Sequence, residues 1–139
     1  VLTRALDARL RADFPNAFAG FVRASDGALE VYSTGDPALA ALVHELQPES
    51  GGSVPVRVVT GMTNSLMVLE RLHEQVRARA GELKARGIVL GSFGVDVRRN
   101  RYRLAVVDLT PEKAALLTAA FGADQVEVVQ GGLWAPLVK

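Results

Sequence analysis

A six-residue phrase occurs twice in this chain, as VRVVTG at Val56–Gly61 and as VEVVQG at Val126–Gly131. Each copy closes the same series of patterns. A proline-started helical stretch comes before it, and a strand–turn–strand pattern comes before that. Such a repeat constrains a fold strongly. One supersecondary unit must be built twice, and each copy must cover its own apolar face.

The first copy reads from Leu2. Leu2, Leu6 and Leu10 share one face of a helix over Leu2–Phe14, which Pro15 and Asn16 stop. Phe18–Arg23 and Ala28–Thr34 are predicted strands around Ser25-Asp26-Gly27, a turn that tolerates positive φ. Asp36 caps a helix with Pro37 at its first position, and Leu39, Leu42, Val43 and Leu46 form its apolar face. Pro48 and the run Glu49-Ser50-Gly51-Gly52-Ser53 predict a loop before a strand at Val54–Thr60.

The second copy opens with a longer helix, Asn64–Arg86. Leu66, Leu69, Leu72, Val76, Ala80 and Leu83 recur at three- and four-residue spacing, and Gly87 is the stop. Strands follow at Ile88–Val97 and Arg101–Leu109 around Arg98-Arg99-Asn100. Thr110 caps a helix from Pro111 with Ala114, Leu117 and Phe121 inward, Gly122 ends it, and Val126–Gln130 is the last strand. The expectation is an α/β (α+β) chain of two tandem α-β-β-α-β repeats, residues 1–61 and 62–139. Each has a three-stranded sheet with helices on one face, and the two are packed as one compact unit. Leu69, Leu72, Val76, Leu104, Val106, Leu117, Phe121, Val126 and Val128 are the expected core. Strand parity fits less well: aligned from the helix starts without a gap, Leu29 and Val31 fall on Arg103 and Ala105.

Bulk composition narrows the chemistry. At 139 residues and 49% hydrophobic, the chain can build a packed core. A net charge of +1 implies no general attraction to nucleic acid or acidic membrane. With no cysteine there is no disulfide, thiolate or cysteine-ligated metal. Apolar runs such as Leu104–Val107 are too short to span a bilayer. A first residue Val1 rather than methionine reads as an excised piece that lacks its natural N-terminus.

No catalytic or metal-binding motif emerges. His44 and His73 stand on separate helices without carboxylates at ligand spacing. Gly91-Ser92 lacks the strand–turn–helix of a nucleophile elbow, and Gly91 and Gly94 read as strand glycines. Asp96 and Asp108 lie near opposite ends of the second hairpin, beside a basic turn and a helix cap. Gly51-Gly52 and Gly131-Gly132 lack the helix and lysine of a phosphate loop. No catalytic residue, cofactor or metal is therefore expected. Arg98, Arg99, Arg101 and Arg103 make a basic hairpin with Tyr102 as its lone aromatic, unlike an RNA-stacking sheet. Three readings stand: a solvated edge that discourages aggregation, a phosphate contact, or a contact to an acidic protein surface.

The stretch GVDVRRNRYRLAVVDLTPEKAALLTAAFGADQVEVVQG resembles the pro-region of secreted bacterial serine proteases of the alpha-lytic protease and streptogrisin type. The resemblance runs over Ile88–Gly131. Asp96 in a strand, Asn100 in the turn, the valine-rich Ala105–Asp108, the helix from Pro111 and Val126–Val129 carry it. It implies two related lobes and a non-enzymatic role as intramolecular chaperone or inhibitor of a chymotrypsin-like protease. A secreted or cell-envelope location goes with it, while the net charge, the lone aromatic of the hairpin and the short apolar runs give the expectation of no nucleic-acid partner and no membrane span. The contact would run through the second sheet and the tail, with Val126, Val128, Gln130, Leu133, Trp134, Arg99 and Arg101 as partner-binding residues. The alternative is a standalone peptide- or ligand-binding module of an exported actinobacterial protein without a protease partner.

Overall fold

A computed structural model describes residues 2–49 and 55–131. Its order of elements is α1 (Leu2–Asp13), β1 (Phe18–Arg23), β2 (Leu29–Ser33), α2 (Pro37–Glu49) and β3 (Val56–Val59). These are followed by α3 (Leu66–Ala85), β4 (Leu90–Asp96), β5 (Arg101–Val106), α4 (Pro111–Phe121) and β6 (Val126–Gln130). The strands form two three-stranded sheets, β1-β2-β3 and β4-β5-β6. In both, a hairpin pairs antiparallel and the closing strand then returns parallel to the central one. The fold is thus a mixed α/β structure of two tandem repeats.

The repeat extends to backbone detail. Register shifts between Phe18 and Gly20 in β1, and between Leu90 and Ser92 in β4. Thr34 donates to the Ala17 carbonyl at 2.9 Å, and Val107 to that of Val89 at 2.9 Å. Leu29 donates to the Pro55 carbonyl at 2.8 Å, and Tyr102 to that of Gln125 at 2.7 Å. Leu29 pairs with Val56 as Tyr102 pairs with Val126, so Leu29 and Val31 correspond to Tyr102 and Leu104. The parity mismatch is a gap of one residue. Three residues separate Ser33 from Pro37, and four separate Val106 from Pro111. Helix ends differ from expectation: α1 stops at Asp13, α3 spans Leu66–Ala85 rather than Asn64–Arg86, and α2 continues through Pro48 to Glu49, where proline's fixed φ is itself helical.

Side-chain oxygens satisfy amides at helix starts. Ser65 accepts from Val68 at 3.3 Å, Thr110 from Lys113 at 3.2 Å and Asp36 from Ala38 at 2.9 Å. The first hairpin closes as Ala24 donates to the Ala28 carbonyl at 2.8 Å, with Gly27 at φ 90° supplying the left-handed turn residue.

Two compact units result. One is Val1–Val68 with Val97–Asn100, and the other Leu69–Asp96 with Arg101–Lys139. In the first, Leu6, Leu10, Phe18, Leu29, Val31, Leu39 and Val43 are buried. In the second, Leu69, Leu72, Val76 and Leu83 of α3 meet Tyr102, Leu104 and Val106 of β5, Leu117 and Phe121 of α4, and Val126. Every expected core residue of this unit is buried except Val128, which is half-buried against the cluster.

Candidate functional site

β6 has β5 on one side and, among the described residues, no strand on the other. Gln125 accepts from the Tyr102 amide and Gly131 donates to the Val106 carbonyl, so odd-numbered residues of this segment turn their main chain toward β5. Strand alternation then turns the main chain of Val126, Val128 and Gln130 to the far edge, where the Val126 N–H already donates to the Gly122 carbonyl at 3.1 Å. The Val126 and Val128 side chains belong to the core, so what these residues offer outward is main chain. Gln130 is exposed and its Oε1 accepts from the Leu109 amide at 2.9 Å, which ties the end of β6 to the entry of α4. Gly131 runs so close over β5 that a Cβ there would stand 2.5 Å from that of Ala105. Leu133 and Trp134 lie outside the described residues.

The basic hairpin is not an edge. β5 is the central strand of its sheet, so Arg101 and Arg103 cannot protect a sheet border. Tyr102, Leu104 and Val106 fill the core, which turns Arg101 and Arg103 to the face away from the helices. Arg103 is exposed and Arg101 half-buried. Arg98 and Arg99 are exposed in the turn, and the Arg98 guanidinium lies 3.5 Å from the Arg23 carbonyl oxygen. The turn ends at Asn100, whose φ of 55° is left-handed, a conformation that asparagine tolerates better than most residues. Asn100 is buried with Asn64, and the two amides hold each other three times. Asn64 donates from its amide nitrogen at 2.6 Å and from Nδ2 at 3.0 Å, and Asn100 Nδ2 donates back to the Asn64 carbonyl at 2.8 Å.

Sequence reasoning missed one polar contact in the second core. The Tyr102 hydroxyl stands 2.7 Å from His73 Nδ1, and Phe93 lies beside both rings at 5.9 and 6.4 Å. The signal was present. Tyr102 shares parity with Leu104 and Val106, so its hydroxyl had to find a partner inside, and His73 borders the apolar stripe of α3. Burial pushes the Tyr102 hydroxyl up to about 12, with Arg77 opposing and Glu74 adding to the rise. A hydroxyl so placed keeps its proton at neutral pH.

The other candidates are dispersed. His44 is exposed on α2. Asp96 pairs in register with Arg101, while Asp108 stands in the turn beyond β5 at φ 52°. Gly91 occupies the β-bulge of β4, and Ser92 is exposed beside it. In the first unit Arg57 bridges Asp26 at 3.1 Å and Glu30 at 3.3 Å, and Tyr32 donates to Glu30 at 3.1 Å. A backbone hydrogen bond from Ala28 and then Arg57 hold the Asp26 carboxyl below its usual value. Among the described residues no group of three or more His, Asp or Glu side chains could hold a metal ion. No described helix is long and apolar enough to cross a membrane. No protein-family model matches the chain, and no curated protein matches it.

Proposed function

We propose that this chain is a non-enzymatic protein-interaction domain, acting as chaperone or inhibitor of a serine protease in the manner of the pro-regions it resembles. The observation that carries this reading is the far edge of β6. There the main chain of Val128 and Gln130 and the Val126 carbonyl face away from β5, while the Val126 N–H is held by the Gly122 carbonyl. An added partner strand gains affinity from main-chain hydrogen bonds, independently of side-chain sequence. Leu133 and Trp134 follow this strand in the sequence, and a large aromatic is the kind of residue on which interface energy concentrates. Arg101 stands at the turn end of the same sheet, on β5, and Arg99 comes two residues before it in the sequence. The location that goes with the reading is secreted or cell-envelope.

The test uses a chymotrypsin-like protease encoded beside this chain. Its inhibition is measured with the intact chain, with residues 133–139 deleted, and with Val128→Pro, which removes an outward-facing amide. The expected result is inhibition by the intact chain and its loss in both variants, with the thermal transition of the deletion unchanged. Absence of inhibition by the intact chain sinks the protease reading and leaves a peptide-binding module using the same edge. A deletion that lowers thermal stability instead makes Trp134 a core residue.

A further inference from the structure

The first sheet is buried on both faces at one place. Leu29 and Val31 point into the core of their unit. Tyr32 alternates with Val31 and pairs in register with Gly20, so these two belong to the opposite face. Both are nevertheless buried. The turn of the second hairpin lies over them. A Cβ on Gly20 would stand 2.9 Å from a Val97 methyl, and the Arg98 guanidinium lies 3.5 Å from the Arg23 carbonyl oxygen. Burial and then Glu30 raise the Tyr32 hydroxyl, and the Arg98 charge opposes the rise. The notch that receives Val97 is specific to this sheet. β1 shifts register between Phe18 and Gly20, and Gly20 has a φ of 117°, where a side chain would be strained.

That turn is a product of the second sheet. Asp96 with Arg101 is the last pair of β4 and β5, and Asn100 closes the turn by donating to the Val97 carbonyl at 3.1 Å. Asn100 then clasps Asn64, which belongs to the first unit. The first unit therefore uses four residues whose conformation exists only when β4 and β5 are paired. Among the described residues the reverse need is absent. The core cluster of the second unit, with the half-buried side chains packed against it, draws on its own residues alone. The pair of the second sheet that matches Gly20 and Tyr32 is Ser92 and Ala105. Ser92 is exposed, and Ala105 lies under Gly131 of the same unit.

We infer that the turn Val97–Asn100 is a one-way strap: the first unit stays closed only while the second sheet is paired, whereas the second unit closes without the first. Letting go of the turn opens the first unit alone. Opening the second sheet removes the turn and so opens both. The molecule then has two levels of opening, with the first unit always the looser one. The strap is independent of the strand-docking role. Because β6 lies in the second unit, its free edge persists when the first unit opens.

The experiment is amide hydrogen exchange of the full-length chain, and it needs no partner. Protection is compared between the slowest amides of β1 and β2 and those of β5 and β6. Wild type is measured beside Val97→Ala, which empties the notch, Asn100→Gly, which keeps the left-handed turn but drops the clasp, and Leu117→Ala, which loosens the second core. In wild type the first sheet should exchange faster than the second. Each turn variant should speed the first sheet about tenfold and leave the second unchanged. Leu117→Ala should speed the second sheet without its ever overtaking the first, since every opening of the second takes the first with it. A first sheet better protected than the second, in any of the four chains, overturns the strap. So do turn variants that speed both sheets alike, or neither.

Discussion

Tyr102 shows how one buried polar atom fixes several others. Burial pushes its hydroxyl up to about 12 from the ordinary value of 10, and the same hydroxyl meets His73 Nδ1 at 2.7 Å. Folding favours the protonated form. The stability this contributes is complete below about pH 10 and is lost as pH rises toward 12. Thermal denaturation between pH 9 and 12 should show that decline, and Tyr102→Phe should flatten it. Tyr32, also raised by burial and by its hydrogen bond to Glu30, leaves a residual slope. An unchanged alkaline profile in the variant would mean that Tyr102 ionises in the folded state as freely as in the unfolded one. Asn100 works similarly through its amide. Asn100→Gly keeps the left-handed φ and the carbonyl that accepts from Asn64 Nδ2, but removes the side-chain amide that binds the Asn64 backbone N–H and carbonyl, which should cost about 1–3 kcal/mol in chemical denaturation. A loss below about 0.3 kcal/mol would show that the turn conformation, not the amide pairing, is what the residue supplies.

At the scale of elements, α4 owes its position to a cap and a stripe. The Thr110 hydroxyl accepts from Lys113, and Pro111 begins the first turn with a preset φ. Replacing Thr110 by alanine removes that acceptor and should cost about 1 kcal/mol, read from the denaturation midpoint. Leu117 is fully buried among Leu104, Val106 and Val126, with Phe121 one turn further on. Leu117→Ala removes its transfer energy and leaves a cavity that a sheet on one side cannot collapse to fill. The expected loss is about 2–5 kcal/mol. A value under about 0.5 kcal/mol would place the other face of α4 inward.

At the scale of the molecule, sequence repeats and compact units do not coincide. The tip of the second hairpin, Val97–Asn100, belongs with Val1–Val68. A Cβ on Gly20 would stand 2.9 Å from a Val97 methyl, and the Asn64 amide is satisfied by Asn100. A chain ending at residue 68 would expose both. It should show no cooperative thermal transition by circular dichroism, although it contains a whole β-β-α-β repeat. A transition at the temperature of the full chain would show that the hairpin tip is dispensable to the first unit.

Local chemistry was sufficient to read the elements. Pro37 and Pro111 at helix starts, Gly27 in a left-handed turn, and the spacing of Leu69, Leu72 and Val76 each act within a few residues, so the sequence alone determined the element order and the repeat. Of the candidate site, the sequence located the last strand and the basic hairpin as segments. Which main-chain groups of β6 face outward depends on its register with β5, and that register is set by contacts far apart in the chain. The same holds for Arg103. Its charge is legible in the sequence, but its place on a central strand exists only once β6 has crossed over to pair with β5. Tyr102 with His73, and Asn64 with Asn100, were decided by tertiary structure alone, because a buried polar group chooses its partner from whatever the folded chain brings within hydrogen-bond reach.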